Sequence, residues 1–378
     1  MIIGFDAKRI VRNNTGLGSY SRNLVNDLSS VLDSGTEMRL YAPDEGNEAL
    51  RRQVRETAFM KFVYPDSCNF RLTRDLWRIK GIVDDLKRDK VDLFHGLTGE
   101  LPMGIKKAGI KSVVTIHDLI FMHHPEYYNW LDTKIYAWKF HQTCKEADRI
   151  IAISECTKRD IIRFGGVDPS RIDVIYQSCS TEFKARESEK KLQQVHTDYM
   201  LPERYFVNVG TIEERKNILL AVKALQLLPE EIGLVVVGRP TPYCDMVKEY
   251  VKKNAMEHRV KFLHGVPHED LPSIYQMAEA CVYPSRYEGF GLPVIEAIQS
   301  GLPVVACTGS CLEEAGGNHS LYVKPDDVYG MADAIKQVLK GAPDREERIS
   351  RSQQYVTRFE GNNVARKVLD VYHRLLSR

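Results

Sequence analysis

The sequence has no stretch approaching the roughly 18 to 20 apolar residues that a membrane span needs. Met1-Ile2-Ile3-Gly4 opens a strand rather than a charged, cleavable leader, so the cytoplasm is the expected location. There is no block of like charge and no low-complexity tract, and a hydrophobic fraction of 43% is that of a globular chain, which excludes disorder. The net charge is only +2, and no Lys/Arg run is interleaved with aromatics, which argues against a nucleic-acid partner. The eight cysteines form no C-x-x-C pair. Cys68, Cys144, Cys156, Cys179, Cys244 and Cys281 are scattered through regular segments and read as reduced, packed thiols. Cys307 and Cys311 lie close together, but one couple in a chain of this size is no disulfide framework.

What is present is the rhythm of an α/β protein. At 378 residues the chain exceeds the size at which a single core stops growing. Two domains of roughly 180 residues each are predicted. Strand patterns at Ile2 to Asp6, Met38 to Ala42, Val91 to His95, Ser112 to His117, Ile150 to Ile153 and Asp173 to Tyr176 alternate with helical ones around Leu17 to Leu32, Leu72 to Leu86 and Trp130 to Ala147. The polar stretch from Thr181 to Pro202 reads as a linker, which places the domains at 1–182 and 203–360. Beyond it, strands at Tyr205 to Val209, Leu234 to Val237, Val260 to Leu263, Ala280 to Tyr283 and Pro303 to Ala306 repeat the cycle. Helical patterns lie between them at about 218–228, 246–255, 271–277 and 294–299. Both halves are therefore predicted as doubly wound, Rossmann-like parallel sheets. The last helix, about 362–378, carries an apolar side at Val364, Val368, Val371 and Leu375 and should dock on a domain, the first being one candidate.

The sharpest motif is Glu288-Gly289-Phe290-Gly291-Leu292-Pro293-Val294-Ile295-Glu296, directly after a strand. Pro293 suits a first helical turn, and the glycines let backbone amides approach an anion at the helix start. Taken singly, Glu296 is explained by the helix dipole and Glu288 by a solvated loop. Two carboxylates bracketing an anion site make better sense as acceptors for the hydroxyl groups of a sugar. A second segment, Gly210-Thr211-Ile212-Glu213-Glu214-Arg215-Lys216-Asn217, joins a strand to a helix and supplies two cations that can stabilise a leaving diphosphate. In the first half, Thr15-Gly16-Leu17-Gly18-Ser19 opens a helix but is no dinucleotide fingerprint, because Ser21 stands at the third glycine position. His117-Asp118 ends a predicted buried strand, where ligand sites collect. Metal coordination by His117, His123, His124 and Glu126 is disfavoured, since they lack helical i, i+4 spacing and no D-x-D dyad occurs in the chain.

On these segments the chain resembles the retaining glycosyltransferase family 4, whose second domain carries an E-x7-E motif matched at its ends by Glu288 and Glu296. The resemblance implies the GT-B arrangement, two Rossmann-like domains facing across a cleft with donor on the second and acceptor on the first. It implies that Glu288 contacts the transferred sugar, that Glu296 holds the nucleotide ribose, and that the backbone from Gly289 through Phe290 and Gly291 to Leu292 faces the sugar and diphosphate. It further implies phosphate contacts for Arg215, Lys216 and the Gly16 and Gly18 amides, and a place beside the reacting centre for His117, with Asp118 orienting it or touching the acceptor. No metal or other cofactor is expected, and no carboxylate is placed as a nucleophile. The Gly-Thr-Ile, Arg-Lys-Asn and His-Asp-Leu-Ile-Phe stretches are similar to mannosyl- and rhamnosyltransferases of polysaccharide assembly, which suggests GDP-mannose as donor and a glycan or lipid-linked saccharide as acceptor. Leu101 to Lys111, with Met103, Ile105, Lys106 and Lys107, is a candidate for peripheral membrane contact. The alternatives are a nucleotide-sugar epimerase of the same fold, a non-catalytic sugar-nucleotide binding protein and, more distantly, a nicotinamide dehydrogenase.

Overall fold

The computed structural model describes residues 1–33, 35–65 and 75–377. They divide into two compact units, Met1–Ser178 with Phe359–Arg378, and Cys179–Arg358. The first unit holds β1 (Ile2–Asp6), β2 (Glu37–Tyr41), β3 (Met60–Val63), β4 (Leu93–Gly96), β5 (Lys111–Ile116), β6 (Arg149–Ala152) and β7 (Ile172–Val174). They form one parallel sheet in the order β3-β2-β1-β4-β5-β6-β7. The second unit holds β8 (Tyr205–Val209), β9 (Gly233–Val237), β10 (Val260–Leu263), β11 (Ala280–Tyr283), β12 (Val304–Cys307) and β13 (Leu321–Val323), also parallel, in the order β10-β9-β8-β11-β12-β13. Central strands such as Gly-Leu-Val-Val-Val of β9 are buried along their whole length, because helices cover both faces of the sheet. In each sheet the strand order reverses once, between β1 and β4 and between β8 and β11. Ligands of such sheets bind at the carboxyl ends of those strands.

Two strands went unpredicted, β3 and β13. Both are four residues or fewer at a sheet edge, and all of β13 is only half-buried, so neither shows a long apolar run. The stretch 181–202, which reads as a linker, is folded into the second unit. Its helix Glu189–Tyr199 buries only Val195, so apolar periodicity does not betray it. It is held instead by polar contacts, with Tyr199 donating to Asp270 at 2.7 Å and Lys191 paired with the same carboxylate. Part of the helical pattern at Leu72 to Leu86, and Cys68, fall outside the described residues. The described part forms a wide π turn at Trp77–Gly81 that continues as helix Ile82–Arg88. The other seven cysteines are buried.

The carboxy-terminal helix, Gly361–Leu376, packs on the helix Gly16–Val31 of the first unit. Its apolar side joins that unit's core through Val364, Val368, Val371 and Leu375. Tyr372 goes deeper, its hydroxyl meeting Nδ1 of buried His95 at 2.5 Å. His95 Nε2 meets the Thr115 hydroxyl at 2.8 Å, and that hydroxyl meets Tyr20 at 3.1 Å. This buried chain ties the end of the polypeptide to β4 and β5.

Candidate functional site

In the second unit both motifs sit where the strand order predicts a ligand. β8 is followed by Gly210, whose φ of 148° suits glycine, and the chain then runs into a tight turn at Glu214–Lys216. Asn217 follows in the left-handed region at φ 55° and starts helix Ile218–Leu225. Its buried side-chain amide donates to the carbonyls of Pro284 at 3.2 Å and Pro325 at 2.8 Å, stapling this loop to the one after β11. The backbone N–H of Arg286 donates to the carbonyl of Arg215 at 2.9 Å, a second staple. The adjacent strands β8 and β11 thus present their loops as one body.

The staples bring Arg215, Lys216 and Glu288 together. Lys216 Nζ lies 2.6 Å from Glu288 Oε1, and Arg215 Nη1 lies 2.8 Å from Oε2. Ser285 donates to Oε1 at 2.6 Å, and Tyr283 approaches it at 3.2 Å. Burial alone would raise the Glu288 carboxyl, but Lys216 and Arg215 outweigh it and hold the group at about 2, ionised throughout the neutral range. Arg215 also donates to the Tyr287 carbonyl at 2.6 Å and pairs with Glu213 at 2.6 Å, so its charge is shared between two carboxylates. Lys216 spends one donor on Glu288 and one on the Tyr283 hydroxyl, 2.5 Å away. An ammonium has three.

Gly291, at φ 109°, precedes helix Leu292–Gln299, and a Cβ there would lie 2.8 Å from Leu312 Cδ2. The Cys311 thiol points at the carbonyls of Glu288 at 3.1 Å and Phe290 at 3.0 Å, so these carbonyls turn inward and fix the loop's path. Phe290 is buried as a packing residue. Glu296 is the fifth residue of the helix rather than a first-turn acid, so the dipole does not account for it. Burial pushes its carboxyl up to about 7, against the opposing effects of His268 and of the Tyr275 hydroxyl, which donates to Oε2 at 3.3 Å.

In the first unit, His117 follows β5 and is buried. Its Nε2 is 2.9 Å from the carbonyl of Leu97, which can only accept, so the proton sits on Nε2. Nδ1 then accepts from the Gln177 amide at 2.6 Å. Burial, with Arg9 nearby, lowers His117 to about 4 despite the Leu97 hydrogen bond, so the ring is neutral at physiological pH. Tyr20 packs against it edge-on, ring centroids 4.5 Å apart. His117 and Asp118 line a cavity of about 240 Å³ together with Arg9, Leu17, Tyr136 and Lys139. Asp118 Oδ1 accepts from the backbone N–H of Ile120 at 3.2 Å.

The glycine loop departs from the expectation for it. The Gly18 N–H donates to the carbonyl of Thr15 at 2.9 Å and to Asn13 Oδ1 at 3.2 Å, so it is spent inside its own loop. Gly18 is required for space instead, since a Cβ would lie 1.8 Å from the Asn13 carbonyl oxygen. Gly16 is the first residue of the helix, and a Cβ there would meet nothing within 4 Å. The sequence reading missed Gln177, Tyr20, Tyr283 and Ser285. Gln177 lies three residues past β7, and Tyr283 and Ser285 at the end of β11, so position at a strand's carboxyl end was the available signal. Among the described residues, no group of three or more His, Cys, Asp or Glu could hold a metal ion.

Two parallel, doubly wound units, one with a carboxylate held between two cations at its switch point, define a sugar-nucleotide-handling protein of the GT-B class. Residues 15–183 match Glycosyltransferase Family 4, and residues 193–355 match Glycosyl transferases group 1. Over 255 residues, 68% of this chain and 67% of the relative, the sequence is 30% identical to the O-antigen chain mannosyltransferase RfbU of Salmonella typhimurium. It is 28% identical to O-antigen chain mannosyltransferase B of Escherichia coli across 96% of both chains. Among solved structures, a glycosyltransferase from Rickettsia africae aligns with a TM-score of 0.76 at 18% identity, over 99% of this chain and 98% of that one. Anabaena HepE, solved with UDP and glucose, aligns with a TM-score of 0.73 at 16% identity, over 98% and 99%. The chain belongs to the family 4 (group 1) glycosyltransferases, and it is a glycosyltransferase.

Proposed function

We propose that the chain is a retaining, metal-independent hexosyltransferase that moves mannose from GDP-mannose to a glycan or lipid-linked saccharide. The observation that carries this reading is the Glu288, Arg215 and Lys216 cluster at the β8/β11 switch point. The third Lys216 donor, with Arg215 behind it, supplies positive charge for the leaving diphosphate without a divalent cation. Glu288, kept ionised by the same cations, accepts from sugar hydroxyls, and Glu296 accepts from the ribose. His117, neutral and fixed in one tautomer, positions rather than titrates, and the 240 Å³ cavity beside it takes the acceptor. In the proposed step the acceptor oxygen forms the new bond on the face the diphosphate leaves. The anomeric carbon–oxygen bond breaks, and a donor phosphate oxygen takes the acceptor's proton. Mannose as the donor sugar rests on the two O-antigen chain mannosyltransferases. Proton NMR of the fresh product tests the reading: an α linkage from the α-configured donor is expected, and a β linkage contradicts retention. Donor conversion without acceptor would instead favour an epimerase.

The Glu296 carboxyl makes nucleotide binding pH-dependent. Ribose hydroxyls bind its ionised form, so GDP affinity is expected to rise between pH 6 and pH 8, across the value of about 7 to which burial raises it. Titration calorimetry should show this rise in the wild type and its loss in Glu296→Gln. Stability runs the other way. A raised carboxyl favours the fold below its ordinary value of 4.5, and that contribution is lost as pH climbs through about 7.

The expected membrane segment needs correcting. Ile105 is fully buried in the core, and Leu101 is half-buried, which leaves Met103, Lys106 and Lys107 as the exposed residues. The larger exposed apolar face lies on helix Trp130–Glu146, where Trp130, Leu131, Ile135 and Trp138 recur at helical spacing, with Lys134 over the Trp130 ring. Tyr136 and Lys139 of the same helix line the His117 cavity. A face of tryptophan, tyrosine and lysine beside the acceptor cavity suits an anionic lipid surface carrying the acceptor. Among the described residues no helix is long and apolar enough to cross a membrane, so the contact proposed is peripheral. Joint replacement of Trp130 and Trp138 by serine is expected to weaken binding to phosphatidylglycerol vesicles at least about tenfold, from roughly 1.5–3 kcal/mol per large apolar side chain. Vesicle flotation measures it, and unchanged binding removes this face from the account.

A further inference from the structure

The charge of the His117 ring is decided at one atom, Nδ1. Nε2 faces the Leu97 carbonyl at 2.9 Å, and a carbonyl only accepts, so Nε2 keeps its proton in either state of the ring. A partner that donates to Nδ1 therefore suits a neutral imidazole, and one that accepts suits an imidazolium. That partner is Gln177, 7% exposed, whose Nε2 lies 2.6 Å from Nδ1. An amide can turn either end to the ring, and the surroundings choose which. Burial opposes a charge on His117, and the Arg9 cation of helix Lys8–Arg12 repels one. From β4, His95 adds no charge, because burial lowers it to about 3, and Tyr20 of helix Gly16–Val31 presents its ring edge-on. Asp118 is the carboxylate next in the chain, and its Oδ1 accepts from the Ile120 N–H. Neither nitrogen of the ring meets a carboxylate, since Leu97 and Gln177 occupy both.

Gln177 is itself held on both sides. Before it, the Ile175 N–H donates to the Ala152 carbonyl of β6 at 2.9 Å, and after it, the Ser178 hydroxyl donates to Asp27 of helix Gly16–Val31 at 3.2 Å. The amide is thus aimed at the ring by two anchored neighbours. We infer that Gln177 is a positioning residue of the transfer reaction: by donating to Nδ1 it holds His117 as an uncharged wall of the acceptor cavity, where the transferred sugar gains positive charge. The inference rests on the transferase reading above. A sugar passing through an oxocarbenium-like state is stabilised by anions and opposed by cations. An imidazolium in this wall would raise the state that the reaction must cross. Gln177 acts through His117 alone, and the choice of an amide over an acid at this position is what keeps a second proton off the ring.

Gln177→Glu keeps the shape and replaces the donor by a carboxylate, which only accepts and so draws a proton onto Nδ1. Two-bond proton–nitrogen NMR of the full chain labelled in its histidines reads the outcome, with His117 identified by the signals lost in His117→Asn. The wild-type ring should be neutral with its proton on Nε2 at pH 7, and the Gln177→Glu ring an imidazolium. In that variant kcat at saturating donor should fall at least about tenfold at pH 7 with the donor KM unchanged, as when stabilisation of the transition state alone is lost. Part of the loss should recover toward pH 9, as the pair gives up its proton. Gln177→Met, which removes the donor and adds no charge, should lower kcat only a few-fold, with no alkaline recovery. The spectra need no turnover, so they separate a failure of this inference from a failure of the transferase reading. A neutral His117 in Gln177→Glu, or a loss in Gln177→Met as large as in Gln177→Glu, overturns the inference. Should circular dichroism show Gln177→Glu unfolded, a wild-type ring charged at pH 7 or an unaltered kcat in Gln177→Met overturns it instead.

Discussion

Replacing Glu288 by glutamine is expected to reduce turnover about 10²- to 10³-fold, the range seen when one preorganised electrostatic contact to a transition state is lost. Two effects combine. On the proposed reading the sugar loses an anionic acceptor, and Lys216 and Arg215 lose the carboxylate they pair with. Stability should fall too, because removing one partner of a buried pair leaves charge uncompensated, at a cost of about 3–5 kcal/mol. The pH dependence identifies the cause. Glu288 is held at about 2, below its ordinary 4.5, so its contribution is present above 4.5 and disappears as pH falls toward 2. Urea unfolding should therefore show a full gap between wild type and Glu288→Gln at pH 7 that closes on acidification across that window. A gap independent of pH would mean that packing, not charge, was lost.

Replacing Gly238 by alanine is expected to disable donor binding from outside the motifs. Gly238 follows β9, and a Cβ there would lie 1.8 Å from the carbonyl oxygen of Gly210. Both neighbours are backbone and both are anchored, Gly238 N–H to Leu263 at 2.9 Å and Gly210 N–H to Val237 at 2.9 Å. The added methyl must therefore push the Gly210–Thr211 turn, which leads directly to Arg215 and Lys216. Overpacking of this kind costs about 1–3 kcal/mol. Thermal unfolding should register that loss, and GDP titration should show at least about a tenfold weakening, equivalent to roughly 1.4 kcal/mol. Unaltered GDP affinity in a destabilised Gly238→Ala protein would show that the turn has room to yield.

The parts of this molecule legible in the sequence are those encoded locally. Central strands such as β8 and β9 announce themselves as apolar runs buried on both faces, and the loops after β8 and β11 carry their glycines, cations and carboxylates within a few residues. Edge strands β3 and β13 lack that signal because half of each faces outward. The helix at Glu189–Tyr199 is held to Asp270 by the Lys191 ion pair and the Tyr199 hydrogen bond, which hydrophobic periodicity does not record. The site's internal wiring is likewise non-local. Gln177 reaches His117 across 60 positions of sequence, and Lys216 reaches Glu288 across 72, distances bridged by strand pairing. Gly18 shows the limit from the other side, since a glycine read as an anion-binding amide owes its place to the Asn13 carbonyl.

The most direct test of the account is a thermal-shift panel of GDP-, UDP-, ADP- and dTDP-sugars, with and without EDTA, on wild type, Lys216→Ala and Glu296→Ala. A specific donor at a hundred times its Kd should stabilise the fold by about 2.7 kcal/mol. GDP-mannose is expected to raise the melting temperature, EDTA to leave the shift intact, and both substitutions to diminish it. A panel in which no donor stabilises the wild type, or in which EDTA abolishes the shift, would contradict the account.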